Sequence, residues 1–322
     1  MNDIHVASDK FHAILYADDT NLVSSLCSFN VNISNHVFPE DMSTLSSNIN
    51  SELQLITDWL EINKLSLNIK KTKFMFFHYH QKNIAQLIPK LSINGHPIDR
   101  VTNFNFLGLT IDENLNWNAH IQKVSNKISR ALGILSRVKR YLPKRILKTL
   151  YNSLILPHLQ YSILAWGSKN NRLVKLQKRA IRIITNSKYN AHTDPLFKEM
   201  HLLKLEDIFE LNALKLYHNF KNDKLPHFFQ NMFSVVQSHH YDTRSASNLK
   251  SCHIKTSGAK QRIRYFLPNI LHNAPTNISE KIYTHSIKGF SAYYKNAKIS
   301  EYQSECHLEN CYICGFSENT SS

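Results

Sequence analysis

Phe11-His-Ala-Ile-Leu-Tyr-Ala-Asp-Asp-Thr-Asn-Leu-Val-Ser24 joins two strand-like apolar runs across a pair of adjacent carboxylates, Asp18 and Asp19. A tight hairpin through this stretch sets both carboxylates at its tip. Paired acids on a rigid hairpin suit Mg²⁺, a hard cation that takes oxygen ligands and leaves room for substrate phosphates. A two-metal phosphoryl-transfer site takes a further carboxylate from a separate strand, and only ten residues precede Phe11. Asp-Asp also has an ordinary explanation in turn chemistry, so the rest of the chain must choose.

The bulk properties point to a polyanionic partner. Lys plus Arg number 39 against 24 Asp plus Glu, giving a formal charge of +15 and a pI near 9.5. A hydrophobic content of 42% supports a real core. The 322 residues contain no apolar run of membrane-spanning length, so neither a transmembrane helix nor a membrane partner is expected. Met1-Asn-Asp-Ile-His5 lacks the charged-then-apolar pattern of a signal peptide. Five cysteines, three of them crowded at the far end, do not form a secreted disulfide framework, and a reducing intracellular setting is expected.

The first 115 residues read as mixed strand and helix. After the hairpin, Leu45, Ile49, Leu53, Ile56 and Leu60 predict an amphipathic helix over 43–64, started by a cap at Ser43 or Thr44. Phe74-Met-Phe-Phe77 predicts a short strand. Asn94-Gly95 predicts a hairpin within Leu91–Ile98, and Phe104–Ile111 a strand broken by Gly108. From Trp117 onward the period is helical. Helices are expected over 117–140, over 143–156 between Pro143 and a terminating Pro157, over 170–186, and over 205–221.

Two of these helices carry basic stripes opposite their apolar faces. Lys123, Lys127, Arg130 and Arg137 lie on the first, and Arg172, Lys175, Arg179 and Arg182 on the other. A single charged stripe is usually a solvated face. Two on successive helices, with almost no acidic residues between 114 and 193, favour phosphate contacts, which supply most non-specific nucleic-acid affinity.

The ordered blocks also carry a resemblance. Phe11 to Ser25 is followed by Trp59-Leu-Glu-Ile-Asn-Lys-Leu-Ser-Leu-Asn-Ile-Lys-Lys-Thr-Lys-Phe74 and Phe106-Leu-Gly-Leu-Thr-Ile-Asp112. Then come Leu156-Pro-His-Leu-Gln-Tyr161, Ala165-Trp-Gly167 and Gln177-Lys-Arg-Ala-Ile-Arg-Ile-Ile184. In this order they resemble the C-terminal half of a non-LTR retrotransposon reverse transcriptase of the jockey-like kind, over roughly residues 1–300.

The resemblance implies an α+β fold. A partial polymerase palm would occupy 1–115, a helical thumb and connection 116–200, a helical C-terminal region 201–300 and a Cys-containing tail 301–322. It implies RNA-directed DNA polymerase chemistry with Mg²⁺, an RNA template, a DNA primer and dNTP. The setting would be the nucleus or a cytoplasmic ribonucleoprotein. Asp18 would be a ligand shared by the catalytic metals, and Asp19 a weaker ligand or a partner behind it. Lys71 would neutralise or protonate the leaving pyrophosphate. Tyr16 would pack near the primer end, and Phe106, Leu107 and Gly108 would shape the hairpin that grips the primer terminus. The two basic helices would line the template–primer duplex.

The family's fingers, first aspartate strand and template-positioning block would lie upstream of Met1, and neither Asp3 nor Asp9 stands in for them. A palm without those strands would expose an unpaired edge and an apolar face. The isolated chain is therefore expected not to polymerise. The alternative is a non-catalytic basic nucleic-acid-binding protein or a retroelement relic. In the tail, Cys306, Cys311 and Cys314, with His307 nearby, have partial zinc-ligand spacing. One Cys-x-x-Cys without a second pair favours free thiols over a Zn²⁺ site.

Overall fold

A computed structural model describes residues 3–17, 19–25, 39–78, 88–168, 171–229, 233, 249, 254 and 259–303. Asp18 and the Cys306, Cys311 and Cys314 group lie outside these described residues. The fold is α+β, with many helices and small, mostly antiparallel sheets. It divides into two compact units, Met1–Asn116 and Trp117–Ser322.

In the first unit, β1 (His12–Tyr16) and β2 (Asp19–Val23) form the hairpin, with Tyr16 opposite Asp19 and two residues between them. Ala17 takes φ 49°, the left-handed conformation that a two-residue hairpin connection needs. Alternation sends Ala13, Leu15 and Leu22 against buried Ile4, Ile56 and Leu60. The last two lie on α1 (Pro39–Ile62), whose Leu45, Leu53, Ile56 and Leu60 are buried at helical spacing while Ile49 packs half-buried beside them. The helix starts ahead of the predicted cap, so Ser43 and Thr44 lie inside it. The helix begins at Pro39, a residue with no N–H to leave unbonded in a first turn.

The remaining strands are short. β3 (Lys73–Phe74) pairs parallel with β6 (Asp99–Arg100), so ladder pairing stops short of the predicted Phe77. The chain beyond Phe74 is held instead by single bonds, such as His78 N–H to Glu113 O at 3.1 Å. β4 (Ser92–Ile93) and β5 (His96–Pro97) make the Asn94-Gly95 hairpin, both turn residues at positive φ. β7 (Asn103–Phe106) and β8 (Leu109–Asp112) form a further hairpin turned at Leu107 and Gly108. Gly108 thus reverses the predicted single strand. Among the described residues each ladder has two strands.

The second unit is helical: α2 (Asn118–Val138), α3 (Lys144–Leu154), α4 (Leu156–Gln160), α5 (Ile163–Trp166), α6 (Asn171–Thr185), α7 (Asp194–Glu199), α8 (Leu205–Lys221), α9 (Ile263–Asn273), α10 (Thr276–Thr284) and α11 (Ile287–Glu301). Pro157 does not end α3. The break is at Ile155, and Pro157 sits in the first turn of α4, where its missing N–H costs no hydrogen bond. The core holds Ile128, Leu135, Tyr151, Leu159, Trp166, Leu173, Phe197 and Leu214. At its centre the buried Gln177 amide donates to Tyr151 Oη and Leu203 O, each at 3.0 Å, and accepts from Leu205 N–H at 2.9 Å. The last bond satisfies a donor at the start of α8 that has no intrahelical partner. Tyr302, just past α11, accepts from Lys204 N–H and donates to Asp207 on α8, fastening the C-terminal helix. No described helix is long and apolar enough to cross a membrane.

Candidate functional site

The hairpin tip presents Tyr16 and Asp19 to solvent, facing each other across the last rung of the ladder. The outward face is apolar as well as exposed, with Ile14 and Val23 alternating with His12 and Asn21. Other carboxylates of the same unit have partners of their own. Glu52 binds Lys10 at 2.8 Å and Ser8 Oγ at 2.6 Å, and the Lys10 hydrogen bond is the main reason its acidity is raised. Glu113 holds Arg100 at 2.6 Å and lies 3.5 Å from His78. Asp99 holds Lys73. Asp112 accepts from the Asn114 and Asn116 amides, closing the turn after β8. No three His, Cys, Asp or Glu side chains come together among the described residues. The described donors alone therefore do not assemble a Mg²⁺ site.

Lys71 is exposed on a turn closed by Asn68, which accepts from the Lys71 amide through both its carbonyl (3.0 Å) and its side chain (3.2 Å). Phe106 and Leu107 are half-buried and Gly108 exposed, all at the β7–β8 turn. Gly108 at φ 84° and Leu107 at φ 46° give that turn its left-handed backbone.

In the helical unit, α2 and α6 pack side by side and run in the same direction. Arg172 at the start of α6 donates to Gln122 Oε1 at the start of α2. Lys139, just past α2, donates to Asn186 Oδ1, just past α6, at 3.1 Å. Lys127, Arg130 and Arg137 on α2 are exposed and Lys123 half-buried, as are Arg172, Lys175 and Arg179 exposed on α6. Arg182 differs. It is half-buried, donates Nε–H to Ala191 O at 2.8 Å, and burial lowers the pKa of its guanidinium. No Asp or Glu occurs between Asn114 and Thr193, a span with sixteen Lys and Arg. Helical spacing alone missed Lys139, Arg140, Lys144 and Arg145, which cluster at the α2–α3 turn. The Arg-Val-Lys-Arg run in the sequence was the available signal.

Over 217 residues, 64% of its length, the chain is 26% identical to a probable RNA-directed DNA polymerase from transposon BS of Drosophila melanogaster. Over 201 residues, 60% of its length, it is 23% identical to the RNA-directed DNA polymerase from mobile element jockey of the same organism. It spans 22% and 20% of the lengths of these curated relatives. No family model matches it, and no solved structure matches it. By sequence, then, the chain is similar to the RNA-directed DNA polymerases of transposon BS and of the mobile element jockey.

Proposed function

We propose that this chain is the palm-hairpin and thumb portion of an RNA-directed DNA polymerase of a non-LTR retrotransposon, and that its helical unit holds the RNA template and DNA primer. The observation that carries this reading is the acid-free span from Asn114 to Thr193, with exposed cations along the parallel helices α2 and α6. The family relationship supports it. On this reading Tyr16 lies near the primer end, Phe106, Leu107 and Gly108 grip its terminus, and Lys71 faces the leaving pyrophosphate of dNTP. Asp18 and Asp19 contribute carboxylates to a divalent-metal site whose other ligands are not among the described residues.

The test is binding of an RNA–DNA hybrid to the purified chain and to a variant carrying Lys127→Gln, Arg130→Gln, Lys175→Gln and Arg179→Gln. All four side chains are exposed, so the fold is expected to survive. The variant binds more weakly and with a shallower salt dependence. Equal affinity and equal salt dependence would overturn the proposal.

A further inference from the structure

Tyr141 and Tyr189 are 83% and 89% exposed. A tyrosine ordinarily lays its ring against the protein and leaves only its hydroxyl wet. Here two rings stand in solvent on neighbouring turns of one helical unit. Tyr141 ends the turn after α2, and Tyr189 sits in the loop after α6. The 3.1 Å bond from Lys139 to Asn186 ties these two turns together.

Both turns are preformed. Tyr141 N–H and Leu142 N–H both donate to Val138 O, at 3.0 and 3.1 Å, and Pro143 then fixes the exit. In the other loop Ser187 N–H donates to Arg182 O at 3.0 Å, and Ala191 N–H to Lys188 O at 3.1 Å. Tyr189 is therefore a central residue of a closed turn. Arg182 Nε–H pins the far side of that turn by bonding Ala191 O at 2.8 Å. This gives the half-buried arginine of the α6 stripe a role in holding the loop.

Cations surround both rings in sequence. Arg137, Lys139 and Arg140 precede Tyr141, and Lys144 and Arg145 follow it, Lys144 being paired with Glu199 at 2.8 Å. Lys188 directly precedes Tyr189. A duplex hides its base faces within the stack, so exposed rings gain little from it. An unpaired strand offers a π-face at every nucleotide and a phosphate beside each.

We propose that Tyr141 and Tyr189 form a stacking platform for single-stranded nucleic acid at the end of the α2–α6 pair, with Arg137, Arg140 and Lys188 taking the adjacent phosphates. This rests on the nucleic-acid reading above and adds an unpaired strand to it.

The full chain is titrated against a labelled short oligo(dT) and against a blunt DNA duplex of equal length, by fluorescence anisotropy. Replacing both rings (Tyr141→Ala with Tyr189→Ala) is expected to weaken oligo(dT) binding by about tenfold or more, with duplex binding unchanged. The double Phe variant, which keeps the π-faces, binds oligo(dT) like the parent. An Ala variant that binds oligo(dT) as tightly as the parent overturns the platform, and so does an equal loss on both probes. If the parent binds the duplex but not oligo(dT), the platform fails while the reading of the helix stripes stands. If it binds neither, both fail.

Discussion

Gly167 is a packing constraint rather than a chemical group. A Cβ placed there would lie 2.5 Å from Ile163 O and 2.7 Å from Phe209 Cδ2, both closer than atoms tolerate. Its neighbour Trp166 is fully buried and donates Nε1–H to Tyr161 O at 3.0 Å, so the segment cannot swing away cheaply. Gly167→Ala is expected to lower stability by about 1–3 kcal/mol, read as a lower denaturation midpoint at constant m. An unchanged midpoint would show that the neighbours relax. His120 makes a second test. It is buried, with its ring 5.6 Å from that of Trp166 and 6.4 Å from that of Trp117. Burial first, and then Lys123 and Lys127, hold its pKa below the ordinary 6.5. Above that value both folded and unfolded imidazoles are neutral and the contribution to stability is complete. As pH falls through it, the unfolded state takes up a proton that the folded state resists, and stability declines. His158 and His201 are shifted the same way, also chiefly by burial. His120→Phe keeps an aromatic ring against both tryptophans and should flatten part of the decline below pH 6.5. A decline as steep as the parent's would remove His120 from the explanation.

At the scale of elements, what the sequence disclosed depended on how local the cause was. The hairpin was legible because alternation constrains register: a one-residue slip of the pairing would turn Ala13 and Leu15, or Leu22, outward. The Asn94-Gly95 turn and the helical faces of α1, α2 and α6 followed from equally local signals. The failures came where one residue admits two local roles. Pro157 stops a helix as readily as it starts one, and the break at Ile155 decided which. Gly108 interrupts a strand or reverses it, and a positive φ at Leu107 as well chose reversal. At Phe74–Phe77 the apolar run was correct, but a strand also needs a partner, and only two rungs found one. The candidate site split the same way. The stripes were visible by period, whereas the exposure of Tyr141 and Tyr189 depends on tertiary turns that no periodicity encodes. The stripes also yield a quantitative check. Each phosphate-binding cation removed from α2 or α6 should reduce the slope of log affinity against log salt by about 0.9 on duplex DNA. The four-residue variant is expected to show several such steps. A lower affinity with an unchanged slope would mean that the substitutions act through the fold rather than at phosphates.

For the molecule as a whole, the acidic hairpin and the long acid-free span are set apart along the chain. The acidic hairpin belongs to the first unit, and the acid-free basic span, but for its first three residues, to the second. On the proposed reading, most of the affinity for a polyanion and the chemistry performed on it draw on different parts of the chain and fail separately. Binding requires only exposed cations, and α2 and α6 present them. Two-metal phosphoryl transfer requires several carboxylates within a few ångströms of one another. Among the described residues no three such donors converge, and Glu52, Asp99 and Glu113 are each held by a cation of the same unit. The expectation that the 322-residue chain binds a template–primer hybrid yet gives no Mg²⁺-dependent primer extension above background is checked on the purified protein. Asp18→Ala sharpens the measurement. Extension by the parent that disappears in this variant would establish a working metal site and overturn the expectation. With no extension by either, hybrid affinity becomes the informative quantity. Removing a negative charge from a chain that binds phosphates should leave affinity unchanged or slightly raise it. A marked loss of affinity in Asp18→Ala would instead mean that the hairpin tip itself holds the nucleic acid, and that the two units do not divide the work as proposed.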